Sequence, residues 1–187
     1  MNQKLTVANI ITMARILLVP IILVLMLTEM ENKEILAFIV FILASVTDAF
    51  DGYFARKYNQ ITDLGKFLDP FADKLLIVGA LLALVYLGYA AAWAVFIIIF
   101  REIFFIGFRF YFLVKENSFS ASWIAKKKTM FQAISVGILI IHKKLPNPEL
   151  FLKIGTYVLY IAVILTVYSG IEYIIKYSKT LRKTDAL

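Results

Sequence analysis

The sequence predicts an all-α integral membrane protein with six transmembrane helices in a single domain, residues 1–187. Hydrophobic residues make up 61% of the chain and the mean hydropathy is +0.83, whereas soluble domains contain about 45–50% apolar residues. Six apolar runs are each close to the roughly 20 residues that a helix needs to cross a bilayer. These runs are 8–28, 35–58, 67–87, 90–114, 123–142 and 150–175. The absence of cysteine excludes disulfides and thiolate chemistry.

Lysine and arginine are distributed unequally between the two ends of the predicted helices. Sixteen of the 20 lie at the end that carries both termini. The four at the opposite end are Lys33, Lys143, Lys144 and Lys153. Cytoplasmic loops are enriched in these residues, so we expect a multi-pass protein of the cell (inner) membrane with both termini and the 58–65 turn in the cytoplasm. Residues 176–187 are expected to form a cytoplasmic tail near anionic lipid. Nucleic acid is not an expected partner, because the basic residues are spread over separate loops.

Four aspartates interrupt the second and third apolar runs. Asp48 and Asp51 are three residues apart, and Asp69 and Asp73 are four apart. Both spacings place the pair on one helical face, and the short connection makes the two helices antiparallel neighbours. A carboxylate in the bilayer costs about 3 kcal/mol, so the group needs compensation. One or two Mg²⁺ or Mn²⁺ ions would supply it, and two such ions can clamp the attacking and leaving oxygens of a displacement at phosphorus.

Small residues and one arginine extend the aspartate pattern. Gly52 and Ala55 leave room for a bulky ligand on the second helix, and Gly65 does so across the turn. Arg56 offers a planar cation suited to a pyrophosphate. Interfacial ion pairs and helix packing would explain any single pair of these residues. Eight specified positions at about 5% usage each coincide by chance about once in 10¹⁰ placements, so the whole pattern indicates chemistry at a phosphate group.

The pattern Asp48-x2-Asp51-Gly52-x2-Ala55-Arg56-x8-Gly65-x3-Asp69-x3-Asp73 resembles the signature of the CDP-alcohol phosphotransferase family and matches each specified position. The resemblance implies six transmembrane helices, a homodimer and a cytoplasm-facing site that holds divalent metal. It also implies transfer of a phosphatidyl or similar group from a CDP-linked donor to an alcohol, with release of CMP.

The resemblance further implies a role for each residue of the pattern. Asp48, Asp51 and Asp69 are similar to the family's metal ligands. Asp73 is similar to the residue that is both a ligand and the general base for the acceptor hydroxyl. From the residues alone, Asp69 is also a candidate for the base. The residues similar to the family's cytidine diphosphate-binding positions are Gly52, Ala55, Arg56 and Gly65.

A set of cations outside the pattern bears on the acceptor. Arg101 lies about eleven residues, or about 16 Å, into the fourth apolar run, where a charge requires a polar cavity. Its neighbour Glu102 is expected to pair with a cation. Together with Arg101, the residues Arg109, Lys126 and Lys128 could form a pocket for an acceptor that carries its own phosphate. Ordinary positive charge on cytoplasmic loops is the alternative explanation.

Three further stretches resemble one subgroup of that family, the phosphatidylglycerophosphate synthases. They are Asn9-x2-Thr12-x2-Arg15 followed by Pro20, Arg101-Glu102 with Arg109, and residues 122–129, where Ala125 replaces the subgroup's glycine. The resemblance implies CDP-diacylglycerol as donor and sn-glycerol 3-phosphate as acceptor. Asn9 and Thr12 would then lie beside the nucleotide, and the four cations would hold the acceptor phosphate.

Other functions stay open at this point. The same chemistry could use inositol phosphate, serine or phosphatidylglycerol as the acceptor. The cations argue against neutral or zwitterionic acceptors such as serine, but they do not separate glycerol phosphate from inositol phosphate. A divalent-cation transporter would also place carboxylates in a membrane, although the sequence shows no internal repeat of the kind common in transporters. A non-enzymatic scaffold would leave the eight-position pattern unexplained. His142, the only histidine, is expected to be an interfacial residue across the bilayer, which favours direct displacement over a phosphohistidine.

Overall fold

The computed structural model describes the backbone of residues 7–57, 63–113 and 123–184. Within these ranges it describes the side chains of residues 12–47, 71–72, 74–107, 123–124 and 126–175. The six α-helices are α1 (Val7–Leu27), α2 (Lys33–Lys57), α3 (Asp63–Tyr86), α4 (Ala92–Leu113), α5 (Trp123–Ile141) and α6 (Pro148–Thr184), and a 3-10 helix spans His142–Lys144. The described residues contain no strand, so the predicted all-α class is confirmed.

The helices follow the six apolar runs, with two main differences. Helix α3 begins at Asp63, four residues before the predicted third run, so Gly65 lies on this helix rather than in the turn. The larger difference is at the C-terminal end. Helix α6 continues to Thr184, nine residues beyond the predicted end of the sixth run and into the segment expected as a tail. The added turns contain neither glycine nor proline, so the backbone hydrogen bonds are not interrupted. Their lysines and arginine lie near the helix C-terminus, where the helix dipole favours positive charge.

All six helices contribute to one apolar core. Helix α1 packs against α2 and α3, α5 packs against α6 and α2, and α4 packs against α6 and α3. Fully buried residues, one from each helix in chain order, are Ile22, Phe41, Leu81, Ile98, Leu139 and Leu159. The motif helices α2 and α3 are therefore supported by α1 on one side and by α5 on the other.

The connections at one end of the bundle are tied together. The Lys144 ammonium donates to Asn32 Oδ1 at 3.0 Å, which joins the 3-10 helix to the α1–α2 turn. His142 is buried, its Nδ1 donates to the Leu139 carbonyl at 2.7 Å, and its ring meets that of Tyr89 edge-on at 4.6 Å. His142 therefore has a protein environment at this end of the bundle, and its location at the membrane interface stays a prediction.

The outer surface of the helices is apolar. Large exposed hydrophobic side chains, one from each helix in chain order, are Leu17, Leu43, Leu82, Phe96, Met130 and Ile164. Soluble monomers rarely expose apolar surface on this scale. Among the described residues, the Pro148–Ile175 stretch of α6 is long and apolar enough to cross a membrane by length and composition, and shorter apolar stretches occur at Thr12–Leu27 and Lys74–Tyr86. These features support membrane association.

Candidate active site

The backbone places the aspartate pattern on two helices that contact each other. Asp48 and Asp51 lie on α2, and Asp69 and Asp73 lie on α3. The side chains of all four lie outside the described part of the structure, as do those of Gly65 and the residues from 48 to 57. The described side chains include no group of three or more acidic or histidine residues that could hold a metal ion. The metal site therefore stays a prediction, based on four carboxylates at helical spacing on neighbouring helices.

Helix α1 turns its polar residues toward the motif helices. Thr12 and Arg15 are both fully buried, although they lie on a helix that also exposes Leu17 and Ile21. Because α1 packs against α2 and α3, the polar face of α1 lies inside the bundle and its apolar face lies outside. Asn9 lies on the same helix, and its side chain is outside the described part.

Four charged side chains from three helices meet inside the bundle, and we call them the Glu102 cluster: Glu102, Lys74, Arg101 and Lys128. Lys128, on α5, donates a hydrogen bond to Oε1 of Glu102, on α4. Lys74 Nζ, on α3, lies 3.3 Å from Glu102 Oε2, and Arg101 Nη1 lies 3.5 Å from Oε1. The side chains of Glu102 and Lys128 are 4% and 3% exposed. The expectation that Glu102 pairs with a cation is thus confirmed.

Arg101 has further contacts besides Glu102. Its Nη2 donates to Ser169 Oγ on α6 at 3.2 Å, and its guanidinium carbon lies 4.4 Å from the centre of the Phe105 ring. Tyr173 packs edge-on against that ring at 5.0 Å. Arg101 Nε is buried and has no hydrogen-bond acceptor among the described residues. The guanidinium is therefore fixed in orientation, and one of its N–H donors is not used by the described residues.

The charges of the Glu102 cluster suit an anion. Its three cations surround a single carboxylate, which leaves an excess of two positive charges among these four side chains. A phosphate monoester carries about −1.5 to −2 charges at pH 7. Arginine and lysine donors are well suited to phosphate oxygens, and charge-assisted hydrogen bonds are roughly twice as strong as neutral ones. The cluster could thus hold a phosphomonoester.

The four predicted acceptor cations do not all have the same surroundings. Arg101 and Lys128 meet at Glu102, whereas the Lys126 side chain is exposed and the Arg109 side chain lies outside the described part.

Sequence reasoning assigned no site role to Lys74, which directly follows Asp73 on α3. That adjacency was the available signal, because it puts a cation on the same helix turn as the motif. The contact of Glu102 with Lys128 spans 26 residues, and no local pattern indicates it.

Comparison with known proteins identifies relatives over nearly the whole chain. The family model described as CDP-alcohol phosphatidyltransferase matches residues 5–168. A Bacillus subtilis (strain 168) protein named CDP-diacylglycerol–glycerol-3-phosphate 3-phosphatidyltransferase is 40% identical over 189 aligned positions, which cover 95% of this chain and 97% of the relative. A Rickettsia bellii protein of the same name is 36% identical over 88% of this chain and 91% of its own. A Mycobacterium tuberculosis protein named probable phosphatidylglycerophosphate synthase is 34% identical over 89% of this chain and 79% of its own.

Proposed function

Because the chain belongs to the CDP-alcohol phosphatidyltransferase family, we propose that it transfers a phosphatidyl group from CDP-diacylglycerol to sn-glycerol 3-phosphate. The products are phosphatidylglycerophosphate and CMP, in the synthesis of anionic phospholipid. The names of the relatives support this donor and this acceptor. The structural observation that carries the proposal is the convergence of Lys74, Arg101 and Lys128 at one buried carboxylate, next to the motif helix α3.

The aspartate pattern would bind the donor together with divalent metal. Asp48, Asp51, Asp69 and Asp73 would hold one or two Mg²⁺ or Mn²⁺ ions, for which carboxylates on facing helices are suitable ligands. Bound there, the metal would neutralise charge on the pyrophosphate and on the departing CMP. The small residues Gly52, Ala55 and Gly65 would leave space for the cytidine diphosphate, with Arg56 on its phosphates and Asn9 and Thr12 beside the nucleotide.

The reaction is a direct displacement at the phosphorus that carries the lipid. A hydroxyl of the acceptor attacks this phosphorus, the bond from phosphorus to the CMP oxygen breaks, and CMP leaves with the bonding electrons. Asp73 takes the proton of the hydroxyl as general base. Asp73 immediately precedes Lys74 on α3, so the proposed base and one cation of the Glu102 cluster lie on the same helical turn.

The acceptor phosphate would bind at the Glu102 cluster. Arg101 would contribute its buried Nε and Lys128 its remaining N–H donors, while Lys126 and Arg109 would line the approach. A neutral or zwitterionic acceptor such as serine has no net negative charge to pair with the two excess positive charges. The proposal therefore favours a phosphomonoester acceptor.

The surroundings of the site are part of the same proposal. All six helices would cross the cell membrane, with the termini and the aspartate pattern on the cytoplasmic side, because most lysines and arginines lie at that end. The enzyme would act as a homodimer, as its resemblance to the family implies.

The test is product formation by the purified chain. The reaction would contain CDP-diacylglycerol, Mg²⁺ and labelled sn-glycerol 3-phosphate, with inositol phosphate, serine and phosphatidylglycerol as parallel acceptors. We expect an anionic phospholipid product with glycerol 3-phosphate and with none of the other acceptors. A chelator should stop its formation. Asp69→Asn and Asp73→Asn should each abolish transfer, whereas Asp63→Asn, the same change on the same helix outside the pattern, should not.

The outcomes separate the parts of the proposal. CMP release with a different acceptor would keep the chemistry and overturn the acceptor assignment. Full activity of Asp73→Asn would overturn its assignment as base. The absence of CMP with every acceptor would overturn the transferase proposal, and metal-ion flux in vesicles would be measured next.

A further inference from the structure

We propose that Glu102 is a positioning residue for the acceptor, holding Lys74, Arg101 and Lys128 in the arrangement that receives the acceptor phosphate. The inference rests on the proposed function and names a residue that needs no contact with either substrate. Its basis is the geometry of the cluster, in which both oxygens of one carboxylate contact cations from three different helices.

Packing alone does not account for a carboxylate at this position. Glu102 is 3% exposed and Lys128 is 2% exposed, and the removal of two charges from water is energetically costly. Apolar side chains of similar volume often stabilise a protein core as well as a buried ion pair does. The neighbouring positions on α4 show that this helix accepts apolar residues freely, since Ile98 is fully buried one turn earlier. A buried acid with three cations is therefore better explained by what the cations do.

Glu102 keeps three like charges close together. Without its negative charge, the cations would repel one another in an environment where charges are only weakly screened. Lys128 is only 2% exposed and has little access to water, so the cluster would rearrange rather than simply lose one contact. Glu102 therefore sets the spacing of the ammonium and guanidinium groups before any ligand arrives.

Glu102 also sets the charge that the ligand meets. With Glu102 ionised, the described cluster carries two positive charges in excess, which matches a phosphomonoester dianion. Two donors that Glu102 does not use are proposed for the ligand: Arg101 Nε, which has no acceptor among the described residues, and N–H groups of the Lys128 ammonium, which has three. The phosphate would complete a cluster whose geometry Glu102 has already fixed.

The decisive experiment compares two kinetic constants in Glu102→Gln, which keeps the side-chain volume and removes the charge. In the assay above, we expect the KM for sn-glycerol 3-phosphate to rise by about tenfold or more, while the KM for CDP-diacylglycerol stays within about twofold. Inorganic phosphate, used as a competitive inhibitor against the acceptor, should show a Ki that rises in parallel. Glu102→Asp keeps the charge, so its KM for sn-glycerol 3-phosphate and its Ki for phosphate should both lie much closer to the native values.

Gln132→Met is the matched control, because Gln132 is buried one turn further along α5 and bonds Thr166 Oγ1 at 3.2 Å. It removes a buried polar contact without touching the Glu102 cluster, so both KM values should stay within about twofold of the native enzyme.

Four results would overturn the inference. An unchanged KM for glycerol 3-phosphate in Glu102→Gln would show that the cations need no organising carboxylate. A rise shared by both substrates, or a fall in kcat alone, would assign Glu102 to the stability of the fold. A raised KM with an unchanged Ki for phosphate would place the effect away from the phosphate. Failure of the native enzyme to use glycerol 3-phosphate would instead refute the proposed function, so the two failures are distinguishable.

Discussion

Arg101 shows how one charged residue is accommodated in the middle of an apolar helix. Glu102 provides the opposite charge, Ser169 accepts a hydrogen bond, and the Phe105 ring covers one face of the guanidinium. Each of these contacts uses the planar shape of the group, and a lysine at this position could reproduce only the charge. The arginine is therefore held in one orientation, and its buried Nε has no hydrogen-bond acceptor among the described residues.

This fixed orientation leads to a prediction for Arg101→Lys. The variant retains the positive charge but loses the stacking and the hydrogen bond to Ser169, and hydrogen bonds to charged groups contribute about 1.5–3 kcal/mol each. We expect the KM for sn-glycerol 3-phosphate to rise by about tenfold, with little change in the KM for CDP-diacylglycerol, in steady-state assays of the purified enzyme. Lys127→Arg is the control, because Lys127 is exposed and contacts only the Trp123 ring among the described residues. Equal KM values for Arg101→Lys and the native enzyme would show that charge alone suffices.

At the residue scale, what the sequence could predict depends on how local the pattern is. Asp48 and Asp51, or Asp69 and Asp73, are related by helical spacing, so their grouping could be predicted without a structure. The sequence predicts that Glu102 pairs with a cation, but it does not identify which cation. Its partners come from three helices, and the choice depends on how those helices pack.

At the scale of elements, α5 and α6 approach each other closely at Gly155. A Cβ atom added at Gly155 would lie 2.7 Å from Leu139 Cδ2 and 2.8 Å from Leu139 Cγ. Ser135 Oγ donates to the Gly155 carbonyl at 2.8 Å across the same interface. Small residues and interhelical hydrogen bonds are the means by which helices associate in a membrane, where the hydrophobic effect contributes little. The α5–α6 contact thus depends on the absence of a side chain at Gly155.

We therefore expect Gly155→Ala to destabilise the protein. Leu139 is fully buried, so it cannot move aside without cost, and overpacking of a core costs about 1–3 kcal/mol. The better helix propensity of alanine, about 1 kcal/mol, offsets only part of this. Thermal unfolding in detergent should show a Tm several degrees lower than that of the native chain.

Gly107→Ala provides the control for Gly155→Ala. Nothing lies within 4 Å of a Cβ added at Gly107 on α4, so only the gain in helix propensity applies and the Tm should stay equal or rise slightly. If the two variants had the same Tm, the close contact at Gly155 would not limit stability.

The bounds of the helices were largely predictable, and the largest difference, at the C-terminal end of α6, has a physical reason. Apolar runs mark where a helix can contact lipid, and the six helices follow them. Helix α6 continues past the last run to Thr184, because a helix can extend into water beyond the apolar layer. Hydropathy reports the thickness of that layer and carries no information about where the backbone hydrogen bonds end. The packing of Gly155 against Leu139 likewise has no counterpart in a hydropathy profile.

For the whole molecule, one feature indicates membrane association and another predicts the orientation. The exposed apolar side chains form an outer surface on all six helices, and the lysines and arginines are concentrated at one end. The opposite end holds the turns that are tied together by Lys144, Asn32, Tyr89 and His142. The charge distribution alone predicted which end of the bundle faces the cytoplasm. This distribution depends on composition and order along the chain rather than on tertiary contacts.

The orientation can be tested directly because the native chain contains no cysteine, so a single introduced thiol is the only one present. Lys127→Cys places it near the start of α5, and Glu149→Cys places it near the start of α6, at opposite ends of the bundle and at exposed positions. In intact cells, a membrane-impermeant maleimide should label Glu149→Cys and leave Lys127→Cys unlabelled until the membrane is opened. Both variants should retain transferase activity, which shows that the labelled protein is folded. Labelling of Lys127→Cys in intact cells would invert the topology and place the aspartate pattern on the side away from cytoplasmic glycerol 3-phosphate, which is incompatible with the proposed reaction.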